Sequence, residues 1–439
     1  MKNYEELAKM LEEYGQSHLL KFYPELNQQE KEKLLKDIAS IDFEEIQKLN
    51  DNLTKKNSET NIEQYSSNSE ATNIEQCNPN SQETNCELIP MPALDKYKLS
   101  QEELKHYQEI GDEMIRSRKV VVCTMAGGQG SRLGHEGPKG TFVVPLKEPK
   151  SIFQIAAEHM IRVYKKYQVY LDWYIMTSEE NDVVTQNYFA ENQYFDYPKE
   201  NIHFFKQGQL PLLDLNGKIL LKSKSEIFKA ANGNGGIFKA LEDNAILDEL
   251  KQNQVEYLVT CNVDNILIKP IDAIMFGVLK EKETEIGIKS VIKRNPTEPV
   301  GACCLKNGKP TVVEYIDLPK ELAEETLEDG SLKFGEVHFG CNYLSRTLLQ
   351  KIADEKLPYH AAKKKNSYIG DNGELIVSND VNSIKYEMFV FDGFEKAESA
   401  LAFRVKREEE FAPIKYKDGE DSPFTASKMY EEYWKNKVE

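Results

Sequence analysis

The 439 residues carry 40% hydrophobic side chains, enough to bury a sizeable core divided over two or three domains. Lys and Arg number 56 against 73 Asp and Glu, a net charge of −17, so the overall field repels nucleic-acid backbones and anionic membranes, and an anionic ligand needs a local cation cluster. No run approaches the roughly 18 apolar residues of a membrane span, and neither nucleic acid nor membrane is expected as a partner.

The opening "MKNYEELAKMLEEYG" lacks the apolar core of a secretion signal, so a cytoplasmic location is expected. Apolar residues recur with helical period at Leu7, Met10, Leu11 and Tyr14, then at Leu34, Leu35 and Ile38, which predicts two or three helices forming an N-terminal cap. Asn57 to Asn85 is rich in Asn, Ser, Glu and Gln and poor in large apolar groups, so it reads as a flexible insert over about 55–90. Its near-duplicate "NSETNIEQ" and "NSEATNIEQ" is too short for a repeat architecture.

Between about 118 and 395, strands such as "KVVVCTMA", "LDWYIMTS", "NIHFFKQ", "VEYLVTCNVD", "EIGIKSVIKR", "TVVEYID" and "YEMFVFDGF" at first alternate with helical stretches. That pattern predicts an α/β domain with a mixed, largely parallel sheet. Ser151 and Gln154 have capping-box spacing ahead of "IFQIAAEHMIRVYKKY", placing a helix there. The tail mixes a short strand, turns and a terminal helix and reads as a small α+β domain, giving the division 1–100, 101–383 and 384–439. The seven cysteines (77, 86, 123, 261, 303, 304 and 341) show no CxxC spacing and are expected to be buried free thiols.

The chemistry concentrates in "VVVCTMAGGQGSRLGHEGPKGTFVV", Val120 to Val144. Glycines after an apolar strand let backbone N–H groups approach an anion closely. A P-loop is excluded, because no Lys-Ser or Lys-Thr follows the second glycine. Gly128, Gly130 and Gly134 only approach the dinucleotide fingerprint, and "LDWYIMTSEEN" ends in Thr177 and Ser178 where a ribose carboxylate belongs. Arg132 and Lys139 inside the loop suit a triphosphate better than a nicotinamide cofactor.

The run "AGGQGSRLG…PKGTF" resembles the signature of the eukaryotic-type UDP-sugar pyrophosphorylases, most of all the branch acting on N-acetylglucosamine 1-phosphate. The likeness continues in order through "GQSHLLKFYPEL", "WYIMTS", "QGQLPLLDLNGKILL", "NGNGGIFKAL", "VDNILIKP", "RNPTEPVGA", "VVEY", "IKYEMFVFD" and "REEEFAPIK". It implies a Rossmann-like nucleotidyltransferase core that joins UTP to a sugar 1-phosphate and releases pyrophosphate, with Mg²⁺ (or Mn²⁺) as cofactor; the oligomeric state is left open, a monomer being slightly favoured. It further implies Met125, Ala126, Gly127 and Gly128 on the uridine, Gln207 and Gly233 on the base, and Arg132, Lys139, Lys385 and Lys415 on the phosphates. Asp264, ending the strand "VEYLVTCNVD", is the implied metal carboxylate. Asn234, Gly301, Glu314, Tyr315 and Lys415 match sugar-side positions.

One stretch departs from the family pattern. Where an Asn meets the hexose, "VHFGCNYLS" places His338, with Asn342 four residues on, so either side chain is a candidate sugar contact. The expected acceptor is N-acetylglucosamine 1-phosphate; glucose 1-phosphate, galactose 1-phosphate and a non-catalytic UDP-sugar-binding role are the alternatives.

Overall fold

The computed structural model describes residues 3–59 and 87–435 and divides into two compact units. Most of the Asn/Ser-rich insert, together with Cys77 and Cys86, lies outside the described residues.

The first unit comprises Met1–Glu75, Gly208–Gly236 and Pro358–Phe389. Asn3 with Glu6 and Asn27 with Glu30 form reciprocal capping boxes that start the helices Tyr4–Glu13 and Gln28–Ala39, and a third helix spans Phe43–Glu59. Leu7, Leu11, Leu34 and Ile38 are fully buried, as their spacing predicts. They pack against Leu213, Ile219, Leu221, Ile384 and Tyr386, which come from two distant chain excursions. A helical cap alone could not bury that stripe, so the unit is discontinuous, in contrast to a contiguous 1–100 region.

The second unit holds an eleven-stranded sheet. Eight of its strands are β1 (Ala93–Asp95), β2 (Val120–Met125), β3 (Trp173–Thr177), β4 (Ile202–Lys206), β5 (Tyr257–Asn262), β6 (Ile286–Ile292), β7 (Glu336–Ser345) and β8 (Ala400–Arg404), in the order β1-β8-β6-β7-β5-β2-β3-β4. All neighbours pair in parallel except β7, which runs antiparallel to both β5 and β6. The expected mixed, largely parallel sheet is therefore present. Its strands read as continuous apolar runs because both faces are covered: β2 and β3 are buried almost throughout.

Ser151 caps the helix Ile152–Tyr167 by accepting from the Gln154 N–H, while the Gln154 side chain donates to Glu158 instead of closing the box. Cys123, Cys261, Cys303, Cys304 and Cys341 are buried free thiols.

Two local expectations change. In "YEMFVFDGF" the strand Ser383–Glu387 stops and Val390–Phe394 is a short helix, an apolar run whose period fits either state. The tail is not a separate domain: β8 pairs in parallel with β6, and the chain from Val390 groups with the second unit.

Beneath that tail, fully buried Lys289 on β6 holds Glu410 at 2.6 Å and the Lys269 carbonyl at 2.8 Å, with Asp272 at 3.6 Å. Lys289→Met strands the buried Glu410 carboxylate, while Asp272 keeps Lys96 at 2.7 Å, and is expected to destabilise the protein by about 3–5 kcal/mol, read as a lower midpoint in chemical denaturation.

Candidate functional site

Parallel strands deliver their following loops to one sheet edge, where open α/β folds bind ligands. Met125, the last residue of β2, lies in register with Asn262, the last of β5, so the glycine loop and Asp264 leave the sheet side by side. Gln207 follows β4 at the same edge, and the reversed strand β7 begins there, which brings in His338.

The loop is closed on itself: the Gly130 N–H donates to the Gly137 carbonyl at 2.9 Å and the Lys139 N–H to the Gly128 carbonyl at 3.1 Å. The Gln207 amide packs directly on the Cα of Gly127: a Cβ there would come within 2.6 Å of the amide nitrogen and push that side chain aside. That contact sets the implied base-binding amide against the implied uridine-binding backbone. Residues 128–133, with Lys139 and Lys415, line a cavity of about 290 Å³. Three cations foreseen as phosphate ligands thus surround one space.

Lys139 and Asp264 form an ion pair at 3.1 Å, with side chains only 16% and 21% exposed. The Asp264 carbonyl accepts the Ile414 N–H at 2.9 Å, and the Asn265 amide is bonded to the Glu410 carbonyl and the Ala412 N–H. Lys415 is therefore fixed beside Asp264 by backbone pairing, and it meets Asp421 at 3.3 Å. Among the described residues no cluster of three or more His, Cys, Asp or Glu side chains is arranged to hold a metal. A single carboxylate such as Asp264 suits Mg²⁺, which takes most of its ligands from water and substrate phosphates.

On the other side of β5, the His338 N–H donates to the Gly301 carbonyl at 2.9 Å, and Glu314 approaches the Cα face of Gly301. Glu314 lies just past the end of the strand Lys309–Val313 instead of within it. Burial, then the neighbouring Asp317, raise its pKa, while Lys415 works in the opposite direction. Tyr315 is exposed in the following turn.

The His338 Nε2 is 2.8 Å from the Asn342 Oδ1, and the Asn342 amide donates to the Thr260 hydroxyl at 3.1 Å. Asn342 is fully buried with both ends of its amide engaged, which orients His338. With the amide so assigned, the proton of His338 sits on Nε2 and Nδ1 is an acceptor. Burial, opposed by the Asn342 bond, lowers the imidazole to about 4 and keeps it neutral at physiological pH. The rings of Phe391 and Phe394 meet it edge-on.

Gly233, Asn234 and Lys385 belong to the first unit and are gathered there. Gly233 has φ +88°, and a Cβ on it would strike the Met388 carbonyl at 2.3 Å. The Gly235 N–H donates to that same carbonyl at 2.9 Å, tying the loop to the chain just after Lys385, whose ammonium meets Glu387 at 2.6 Å.

Sequence reasoning missed Asn181, whose amide meets the Ala126 carbonyl, and Asp421, which pairs with Lys415. Short polar residues in turns are too common to stand out, and only the fold shows which backbone or cation each one serves.

Residues 56–433 match the model of the family described as UTP–glucose-1-phosphate uridylyltransferase. A UDP-N-acetylglucosamine pyrophosphorylase of Saccharomyces cerevisiae is 36% identical over 78% of this chain and 75% of its own. A UDP-N-acetylhexosamine pyrophosphorylase-like protein 1 of Xenopus tropicalis is 33% identical over 94% and 81%. The crystal structure of the uridine diphosphate N-acetylglucosamine pyrophosphorylase of Trypanosoma brucei, solved with an inhibitor, superposes with a TM-score of 0.77 at 26% identity, covering 98% of this chain and 84% of that one. With the glycine loop, its cations and the sheet order in place, the chain belongs to the UTP–glucose-1-phosphate uridylyltransferase family.

Proposed function

We propose that the protein transfers the uridylyl group of UTP to N-acetylglucosamine 1-phosphate, forming UDP-N-acetylglucosamine and pyrophosphate. The observation that carries this reading is the meeting of Arg132, Lys139 and Lys415 around one cavity of the glycine loop, beside Asp264. In a chain of net charge −17 the overall field repels a polyanion, so a nucleotide triphosphate needs a local cluster of this kind to bind.

In the reaction an oxygen of the sugar phosphate attacks the α-phosphorus in line, the bond from that phosphorus to the bridging oxygen breaks, and pyrophosphate leaves with the electron pair. Catalysis is then alignment and charge neutralisation, with no covalent nucleophile. Arg132 and Lys139 take the triphosphate, and Lys415 takes the acceptor phosphate. A bound Mg²⁺, held on the protein side by Asp264, would neutralise phosphate charge. Lys139, 3.1 Å from that carboxylate, offsets its charge and holds it in place. Roles for Met125, Ala126, Gly128, Gly233, Asn234, Tyr315 and Lys385 rest on the resemblance, and a cytoplasmic location rests on the character of the opening segment. Among the described residues no helix is long and apolar enough to cross a membrane.

On the sugar side, Glu314 accepts hydrogen bonds from hydroxyl groups and His338, not the enclosed Asn342, presents Nδ1 to the 2-acetamido N–H. Initial rates with N-acetylglucosamine, glucose and galactose 1-phosphates test this reading, and the first is expected to be used best. His338→Ala should reduce the preference for the acetamido sugar over glucose 1-phosphate by about tenfold, the worth of one buried hydrogen bond. That ratio is independent of how much variant is folded, and an unchanged ratio rejects the role given to His338.

A further inference from the structure

We infer that Asn181 is a positioning residue for the nucleotide, shaping the glycine loop from behind; the inference rests on the UTP reading above. Asn181 is fully buried in the turn between β3 and the helix Asp182–Glu191. Its Oδ1 accepts the Ser178 N–H at 2.8 Å, so its NH₂ group points the other way. There it donates to the Ala126 carbonyl at 2.9 Å and reaches the Gly128 carbonyl at 3.4 Å.

Those two carbonyls flank Gly127, in the middle of the segment assigned to uridine. A glycine-rich backbone is free to rotate its peptide planes, and a rotated plane would exchange the N–H and carbonyl groups presented to the bound nucleotide. Asn181 holds both planes at once. The Lys139 N–H shares the Gly128 carbonyl at 3.1 Å, so the same contact also sets where the phosphate cation begins. The turn that carries Asn181 is itself braced, with the Thr177 hydroxyl donating to Asp182 at 2.6 Å and the Asn181 carbonyl accepting the Thr185 N–H at 2.9 Å. A helix N-cap role does not account for the residue, because its side chain makes no capping bond to the helix it precedes.

Asn181→Asp keeps the shape, removes the donor and sets a carboxylate oxygen against two carbonyls. In the full chain it is expected to raise the KM for UTP at least about tenfold while leaving the KM for sugar 1-phosphate within about twofold, a cost in the range of an unsatisfied buried polar group. Asn181→Ala, which adds no charge, should shift UTP in the same direction by a smaller factor, and it serves where the Asp variant fails to fold. The dissociation constant for UTP from titration calorimetry gives a readout independent of turnover. Equal losses for both substrates, or none for UTP, overturn the inference. Wild-type protein that fails to bind UTP overturns instead the nucleotide reading beneath it, so the two failures are distinguishable.

Discussion

Lys139→Ala is expected to lower kcat/KM for UDP-sugar formation by about 10²–10³-fold, the scale on which one preorganised charge-stabilising donor acts in a sequestered site. Two effects reach that size together. The variant removes a cation from the cavity that receives the triphosphate, and it leaves Asp264, 3.1 Å from the lost ammonium and largely buried, as an unpaired anion facing an incoming polyanion. Both weaken nucleotide binding, so the KM for UTP should rise while kcat falls. Lys139→Arg should recover only part of the loss, since the cation returns without the compact fit of an ammonium against the Asp264 carboxylate. Steady-state rates at varied UTP check this, and a variant within threefold of wild type would remove Lys139 from the phosphate site.

Asp264→Asn should separate binding from turnover. The amide keeps the shape and can still accept a bond from Lys139, but it is a poor ligand for a hard divalent cation. The variant is expected to lose about 10²–10³-fold in kcat while binding metal-free UTP at least as tightly as wild type, because a negative charge beside the triphosphate has gone. Titrating UTP with and without Mg²⁺ provides the check. Full activity with ordinary Mg²⁺ dependence in Asp264→Asn would assign the metal to another group.

The nucleotide half of the site was legible in the sequence because its chemistry is local. Arg132 and Lys139 stand seven residues apart in one loop, directly after a strand whose apolar run declares itself. Asp264 was legible for the same reason, as the polar residue just past β5. What escaped depends on pairings that no local pattern encodes. The β7 strand reads like its neighbours yet runs the other way, and only that reversal brings His338 to the edge where the loops emerge. Leu7 and Leu34 announce a buried face without saying that Leu213 and Ile384 will cover it, which is why a contiguous cap was expected where the unit is discontinuous. Lys415 reads as part of a separate tail, although the pairing of Ile414 with Asp264 makes it part of the loop cluster. Asn181 carries no signal until the carbonyls of Ala126 and Gly128 are seen to face it.

The central claim is direct uridylyl transfer at the glycine loop, and ³¹P NMR of wild-type protein mixed with UTP, N-acetylglucosamine 1-phosphate and Mg²⁺ tests it most directly. The expected result is the stoichiometric appearance of UDP-N-acetylglucosamine and pyrophosphate, one of each per UTP consumed and neither without the sugar phosphate. Pyrophosphate formed without the UDP-sugar, or no reaction with this or the other hexose 1-phosphates, would contradict it.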